Sequence, residues 1–424
     1  MNILLVNTSE MAGGAAIAAS RLCDSLNRRG VQATLLVRDR ETSRATTRRV
    51  PVGGLRGMRL QAAFLWERFR IWWANGFRRQ GLFAVDIGVG GASIVDTPEF
   101  KAADIIHLHW VNQGFLSLAE LRRILRSGKP VVWTMHDMWV ATGICHYAGD
   151  CDRFHTHCHD CPQLLRPAPH DLSWRIFDRK ATIYSEGRIS FVGCSRWIAD
   201  QARQSRLIGA FPITNIPNTY DHHVFCPGSQ EEGRLHFTLP RRLRLLLFVC
   251  QKVTDPRKGL EYLFTALRSQ PLHAWQGRLA LVVVGQMADD VAERIPLPIH
   301  TLDYISNPED MALLYRAVDL FVTPSLEDNL PNTIMEAMAC GTPCVGFNVG
   351  GIPEMIDHGK NGYVARYRDA DDLAKGIDHV LSDPNYQELA NAAAQKATTV
   401  WNEQRVTDQY IELYQQQLRA PVNP

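Results

Sequence analysis

The chain has 424 residues, more than one hydrophobic core usually organises, and its 46% hydrophobic and 21% charged content is that of an ordinary soluble globular protein. A formal net charge of +2 provides no global field for gripping a nucleic acid backbone, so any anion must be bound by local groups. The start, Met1-Asn2-Ile3-Leu4-Leu5-Val6-Asn7, has neither the basic region nor the long apolar run of a signal peptide, and no stretch approaches the roughly 18 apolar residues of a membrane span; the expectation is a cytoplasmic protein whose ten cysteines stay reduced.

Short apolar runs at 3–6, 34–37, 104–108, 131–134 and 189–192 predict strands, each followed by a helical pattern. They are continuous rather than alternating, as in parallel sheets covered on both faces. The first crossover helix places Ala15, Ala18, Leu22 and Leu26 on one face. Arg28 and Arg29 then suit the negative end of its dipole, and Gly30 a left-handed cap.

Residues 56–79 hold Arg56, Arg59, Arg68, Arg70, Arg78 and Arg79 against the single acid Glu67, interleaved with Phe64, Trp66, Phe69, Trp72, Trp73 and Phe77. A basic helix with aromatics suits a membrane surface; an ordinary helix with packed aromatics and solvated arginines is the alternative.

A second series of strands is predicted at 243–249, 279–284, 320–322 and 343–345. Pro217, Pro227, Gly228 and the charged stretch 229–234 separate the two series. The expected organisation is an α/β protein of two doubly wound, Rossmann-like domains facing across a cleft. These are 1–228 (acceptor side, with a Cys-rich insertion at 143–165) and 229–402 (nucleotide-sugar side). A helix in 403–424 is expected to cross back to the first domain.

Gly13-Gly14 joins the first strand to the first helix, where backbone approaches a ligand closely and the helix N-terminus favours an anion. It does not follow the Gly-x-Gly-x-x-Gly dinucleotide pattern, and a tight turn with no ligand is the alternative. Asp255-Pro256-Arg257-Lys258-Gly259 puts two cations after a strand, suited to a pyrophosphate or else to solvent. In the stretch 322–343, Pro331 opens a helix and Gly341 ends it. Amides near Asn332 and Thr333 suit a diphosphate, Glu336 lies one turn further in, and Met335, Met338 and Ala339 belong to the core.

In combination and order, these motifs resemble family 4 of the retaining GT-B glycosyltransferases, and within it enzymes of bacterial exopolysaccharide assembly of the colanic acid type. The resemblance rests on Gly13-Gly14, Ile106-His107-Leu108-His109-Trp110, Thr134-Met135-His136-Asp137, Ile216-Pro217-Asn218, Arg257-Lys258-Gly259, the 328–336 segment and Gly350-Gly351-Ile352-Pro353-Glu354. It implies transfer from a UDP- or GDP-sugar to a glycan or lipid-linked acceptor, with no metal needed for catalysis and a place at the cytoplasmic membrane face. A non-catalytic nucleotide-sugar-binding subunit and an epimerase of the same fold are the alternatives.

By the same resemblance, Lys258 grips the donor diphosphate, Glu336 takes the ribose, and Asn329, Leu330, Pro331, Asn332 and Thr333 line the donor. Asp328 stands where the family usually has the first glutamate of a Glu-x7-Glu pair. The Gly-Arg pair usual before the lysine is missing, and Lys252 or Arg257 is expected to replace it. His109 matches the active-site histidine, with a histidine satisfied in a buried strand as the alternative. His136 and Asp137 end a strand and suit acceptor or donor, unless Asp137 only caps the next turn.

Four cysteines lie close together as Cys145-x5-Cys151-x6-Cys158-x2-Cys161, among His146, His155, His157 and His159. A closed structural Zn²⁺ site is the favoured reading; free thiols and a redox disulfide remain open.

Overall fold

The computed structural model describes residues 1–51, 53–78, 81–252, 255–286 and 295–419. Contacts divide the chain into two units, Met1–Asn218 with Gln404–Pro424, and Thr219–Glu403. The sequence puts the boundary at 228/229. The segment before it stays with the second unit because Arg316 donates to the carbonyls of Val224 (2.8 Å) and Cys226 (2.7 Å).

The first unit carries β1 (Asn2–Ser9), β2 (Gln32–Asp39), β3 (Thr47–Arg49), β4 (Ile105–Leu108), β5 (Val131–Met135), β6 (Ile189–Gly193) and β7 (Ile213–Asn215). All pair in parallel, in the order β3-β2-β1-β4-β5-β6-β7. The second unit carries β8 (Arg244–Lys252), β9 (Leu279–Gln286), β10 (Ile299–Leu302), β11 (Leu320–Thr323), β12 (Cys344–Phe347) and β13 (Gly362–Ala365), also parallel, in the order β10-β9-β8-β11-β12-β13. Winding reverses between β1 and β4 in one sheet and between β8 and β11 in the other. In open parallel sheets, ligands bind beyond the carboxyl ends of the strands at that reversal.

Both faces of the first sheet are buried, which is why its strands read as unbroken apolar runs. One face is completed by Val406, Tyr410, Leu413 and Tyr414 of the helix Glu403–Arg419. Polar contacts fix that helix in register. Tyr414 Oη meets His107 Nδ1 at 2.7 Å, Tyr410 Oη meets Thr134 Oγ1 at 3.0 Å, and Ser25 is hydrogen-bonded to Thr407.

The basic aromatic stretch folds as the helix Gly54–Ala74. Arg68 departs from the solvated face expected of it. It is buried, pairs with Glu67 and with Asp86 (3.4 Å), and donates to the carbonyls of Leu82 (2.7 Å) and Val85 (3.2 Å). Glu67 in turn accepts from Val89 N at 2.7 Å. The Glu67–Arg68 pair is therefore an internal tie, since a buried charge persists only when paired and hydrogen-bonded. The opposite side of the helix exposes Trp66 (54%), Phe69 (40%) and Trp73 (60%), with Phe77 (49%) just beyond it. Their rings contact one another, Trp66 to Phe69 at 5.4 Å and Trp73 to Phe77 at 5.2 Å between centroids. Arg79 lies outside the described residues.

Candidate functional site

In the first unit, β1 runs into Gly13 (φ 90°), which precedes the helix Gly14–Arg28. β4 and β5 end directly before His109 and His136. The ends are tied together across the reversal: His109 N donates to Val6 O (2.9 Å), Trp110 N to Asn7 Oδ1 (2.9 Å) and Thr8 N to Trp110 O (2.8 Å).

His109 Nδ1 and His136 Nε2 are 3.0 Å apart, so one ring donates to the other. Burial holds both far toward the neutral form, with His136 lowered to about 4 and His109 well below its usual range. His109 Nε2 is buried without a hydrogen-bond partner. His107, two residues earlier, is also held neutral by burial, but both its nitrogens are satisfied, by Tyr414 and Thr134.

Asp137 does more than cap a turn. Its Oδ1 accepts from Trp139 N (2.9 Å), and its Oδ2 from Trp110 Nε1 (2.7 Å) and from His146 Nδ1 (2.7 Å). Burial alone would raise its pKa, but the adjacent His146 and the converging donors hold it below the ordinary carboxylate value. The Nε2 of His146 and the Nδ2 of Asn112 are also buried without partners. Sequence reading named Asp137 but not the Trp110–Asp137–His146 set, because nothing in the spacing marks His146 as its partner.

In the second unit, β8 leads through the turn Pro256–Lys258, where Asp255 accepts from Arg257 N (3.0 Å) and holds the Arg257 guanidinium (2.8 Å). Gly259 has φ 66°, and a Cβ there would stand 1.8 Å from Pro324 O. Only glycine permits that approach, which lays the turn against the loop after β11. Leu326 N then donates to Arg257 O (2.7 Å), and Lys258 Nζ reaches Asp328 Oδ2 (2.8 Å). The Asp328 charge raises the Lys258 pKa, so this lysine is cationic. Gly350 (φ 57°) serves the same loop from the other side, since a Cβ would lie 1.7 Å from Asp328 O.

The helix Asn332–Ala339 follows, with Pro331 at its N-cap. Asn329, Leu330 and Pro331 are buried, Asn332 and Thr333 half-buried. Glu336 is buried and accepts from the Tyr315 hydroxyl at 3.3 Å. The turn and loop thus bring Lys258 and Asp328 together, while Arg257 is turned to Asp255. Lys252 ends β8, and its side chain lies outside the described residues.

Cys145, Cys151, Cys158 and Cys161 line a single cavity of about 20 Å³ in the first unit. Among the described residues, no three His, Cys, Asp or Glu side chains are already grouped as a ligand set.

Comparison with known proteins accords with both halves. The family described as Glycosyltransferase Family 4 matches residues 12–224, and Glycosyl transferases group 1 matches residues 244–383. A D-inositol 3-phosphate glycosyltransferase of Nocardiopsis dassonvillei is 27% identical over 332 residues, covering 73% of this chain and 70% of that one. An N-acetyl-alpha-D-glucosaminyl L-malate synthase of Bacillus anthracis is 30% identical over 121 residues, 28% of this chain and 32% of that one. Among solved structures, a sucrose-phosphate synthase of Thermosynechococcus elongatus aligns with a TM-score of 0.67 at 19% identity, covering 98% of each chain. Anabaena HepE, solved with UDP and glucose, aligns at 0.61 and 16% identity, covering 98% of this chain and all of that one. Two parallel sheets that each reverse winding at a candidate site, matched by a family over half the chain, make this protein a glycosyltransferase of family 4 with the GT-B fold.

Proposed function

We propose that the protein moves a sugar from a nucleoside diphosphate to a glycan acceptor, with retention at the anomeric carbon. The Lys258–Asp328 pair beside the loop that opens the helix Asn332–Ala339 carries this reading. A cation and a helix N-terminus at a strand reversal suit a diphosphate. Lys258 then offsets the charge that builds on the leaving group, Asp328 accepts from donor-sugar hydroxyls, and Glu336 accepts from the ribose. The bond from the anomeric carbon to the diphosphate oxygen breaks as the bond to the acceptor oxygen forms. The acceptor's proton passes to the departing diphosphate on the same face, so no strong enzymatic base is required. His109, His136 and Asp137 orient the acceptor and sugar. HepE, of the same fold, was solved with UDP-glucose, which favours a UDP-sugar among the donors.

The acceptor we propose is lipid-linked, in polysaccharide assembly at the cytoplasmic membrane face. The exposed aromatic cluster Trp66, Phe69, Trp73 and Phe77 supports a peripheral association. Among the described residues no helix is long and apolar enough to cross a membrane.

The test is incubation of the purified protein with UDP- and GDP-sugars, following donor hydrolysis and, with a lipid-diphosphate glycan, product anomeric configuration by NMR. Slow hydrolysis of one donor and a product with the donor's anomeric configuration are expected. An inverted product, or no turnover of any donor with or without acceptor, would overturn the reading.

A further inference from the structure

We propose that Cys145, Cys151, Cys158 and Cys161 form a tetrathiolate site for one Zn²⁺, which fixes the segment carrying His146 to the first sheet. Three observations carry it. First, the four thiols of this short stretch line one small cavity, with about 20 Å³ of room, enough for a single centre. The rest of its lining includes the apolar Ile144, Ala148, Phe154 and Pro162.

Second, the backbone is shaped around the sulfurs. Gly143 N donates to Cys158 Sγ at 3.2 Å. That approach needs glycine, because a Cβ on residue 143 would stand 2.5 Å from Ser173 O. Between Cys158 and Cys161 the chain turns through Asp160 in the left-handed region (φ 40°). Cys161 N is held by Asp171 Oδ2 (2.8 Å), and Cys151 N by Ala148 O (3.0 Å). The Gly143 N–H aimed at Cys158 Sγ is the kind of contact a metal-bound thiolate takes from its surroundings.

Third, the Lys180 amine is fully buried, donates to the carbonyls of Trp139 (2.5 Å) and Thr142 (3.1 Å), and lies 3.4 Å from the centre of the Trp139 ring. Thr142 also lines the cysteine cavity, so this amine stands beside it. Zn²⁺ with four thiolates carries two negative charges, and a protonated Lys180 beside them offsets one.

On binding, four S–H protons leave and four Zn–S bonds of about 2.3 Å form, the thiols turning inward by side-chain rotation. Cys145 is directly followed by His146, whose N donates to Ala84 O (3.1 Å) and whose O accepts from Met138 N (2.8 Å). The ion thus clamps the segment that holds His146 against Asp137, and that last step rests on the acceptor-side role proposed above.

The full-length protein, made in zinc-supplemented medium and purified without chelator, is expected to contain about one zinc per chain. A mercurial reagent should release it. Replacing the zinc with cobalt(II) should give sulfur-to-metal charge transfer in the near ultraviolet and the intense visible bands of a tetrahedral tetrathiolate. Cys151→Ser, at the half-buried ligand, should weaken metal binding by at least about tenfold, and Cys158→Ser/Cys161→Ser should abolish it. Cys23→Ser, outside the cavity, should leave it unchanged. Zinc no higher in the wild type than in the double variant, or cobalt without a thiolate spectrum, would overturn the site. If the double variant fails to fold, the cobalt spectrum of the wild type decides. Donor hydrolysis is not part of this readout, so loss of the transferase reading leaves the metal result standing.

Discussion

Lys258 Nζ lies 2.8 Å from Asp328 Oδ2, joining the turn after β8 to the loop after β11. The pair fixes the position of the cation before any ligand arrives. Lys258→Ala is expected to lower kcat/KM at least about tenfold, roughly 1.4 kcal/mol of transition-state stabilisation. Asp328→Asn should separate the two roles. The lysine then faces a diphosphate with no competing carboxylate, so UDP binding by calorimetry holds or tightens while kcat falls. Unchanged kcat/KM in both variants would remove the pair from the site.

Glu336 presents a second, independent test. Its carboxylate accepts from the Tyr315 hydroxyl at 3.3 Å, inside the helix that Pro331 opens. Glu336→Gln is expected to reduce transfer at least about tenfold, mainly through KM, because a ribose contact is made in ground and transition states alike. Tyr315→Phe should cost about 0.5–1.5 kcal/mol of stability with a smaller kinetic effect. Equal kinetic losses in the two variants would mean that Glu336 acts only through packing.

Much of this arrangement was legible because parallel strands buried on both faces leave continuous apolar runs, and the turns after them carry glycines and charges in sequence. β3, β7, β10 and β13, the four edge strands, were not legible. β3 and β7 are three residues long, Thr47–Arg49 and Ile213–Asn215, with Thr47 the one buried position between them, and β10 and β13 are four residues long with half-buried positions in each. Arg68 could not be told from its exposed neighbours, since only the fold brings Asp86 to it. The same holds for His146, whose bond to Asp137 spans nine residues with no periodicity to announce it.

The buried rings of His107, His109 and His136 make stability depend on pH. Burial lowers His107 to about 3, His136 to about 4, and His109 well below its usual range. In the unfolded chain each titrates near about 6.5. Between those values the unfolded state binds more protons, so stability is full above about 6.5 and falls as the medium becomes more acidic. Each ring contributes a slope on the order of 1 kcal/mol per pH unit down to its folded value. Urea unfolding of the wild type should therefore weaken steadily from pH 7 to pH 5, and His107→Asn, at the ring bonded to Tyr414 and Thr134, should flatten the slope. A variant with lower stability but the same slope would show that His107 charges in the folded protein.

The exposed aromatic cluster is expected to hold the protein to anionic membranes. Arg59 and Arg78 are exposed in the same segment as Trp66, Phe69, Trp73 and Phe77, whereas Arg68 is spent inside the fold. A net charge of +2 offers no general attraction, so binding must come from this patch, with each arginine near the surface contributing about 1 kcal/mol and the tryptophans seated at headgroup level. The wild type should sediment with vesicles rich in anionic lipid at low salt, and more weakly as salt rises, since the charge contribution is screened and the aromatic one is not. Trp66→Gln/Trp73→Gln should stay in the supernatant while keeping donor hydrolysis, because neither ring belongs to a core cluster. Arg59→Glu/Arg78→Glu should lose binding at lower salt than the wild type does. Wild-type protein that ignores anionic vesicles at low salt would show that the aromatic face serves another surface. Retention by the tryptophan variant would place the contact elsewhere on the chain.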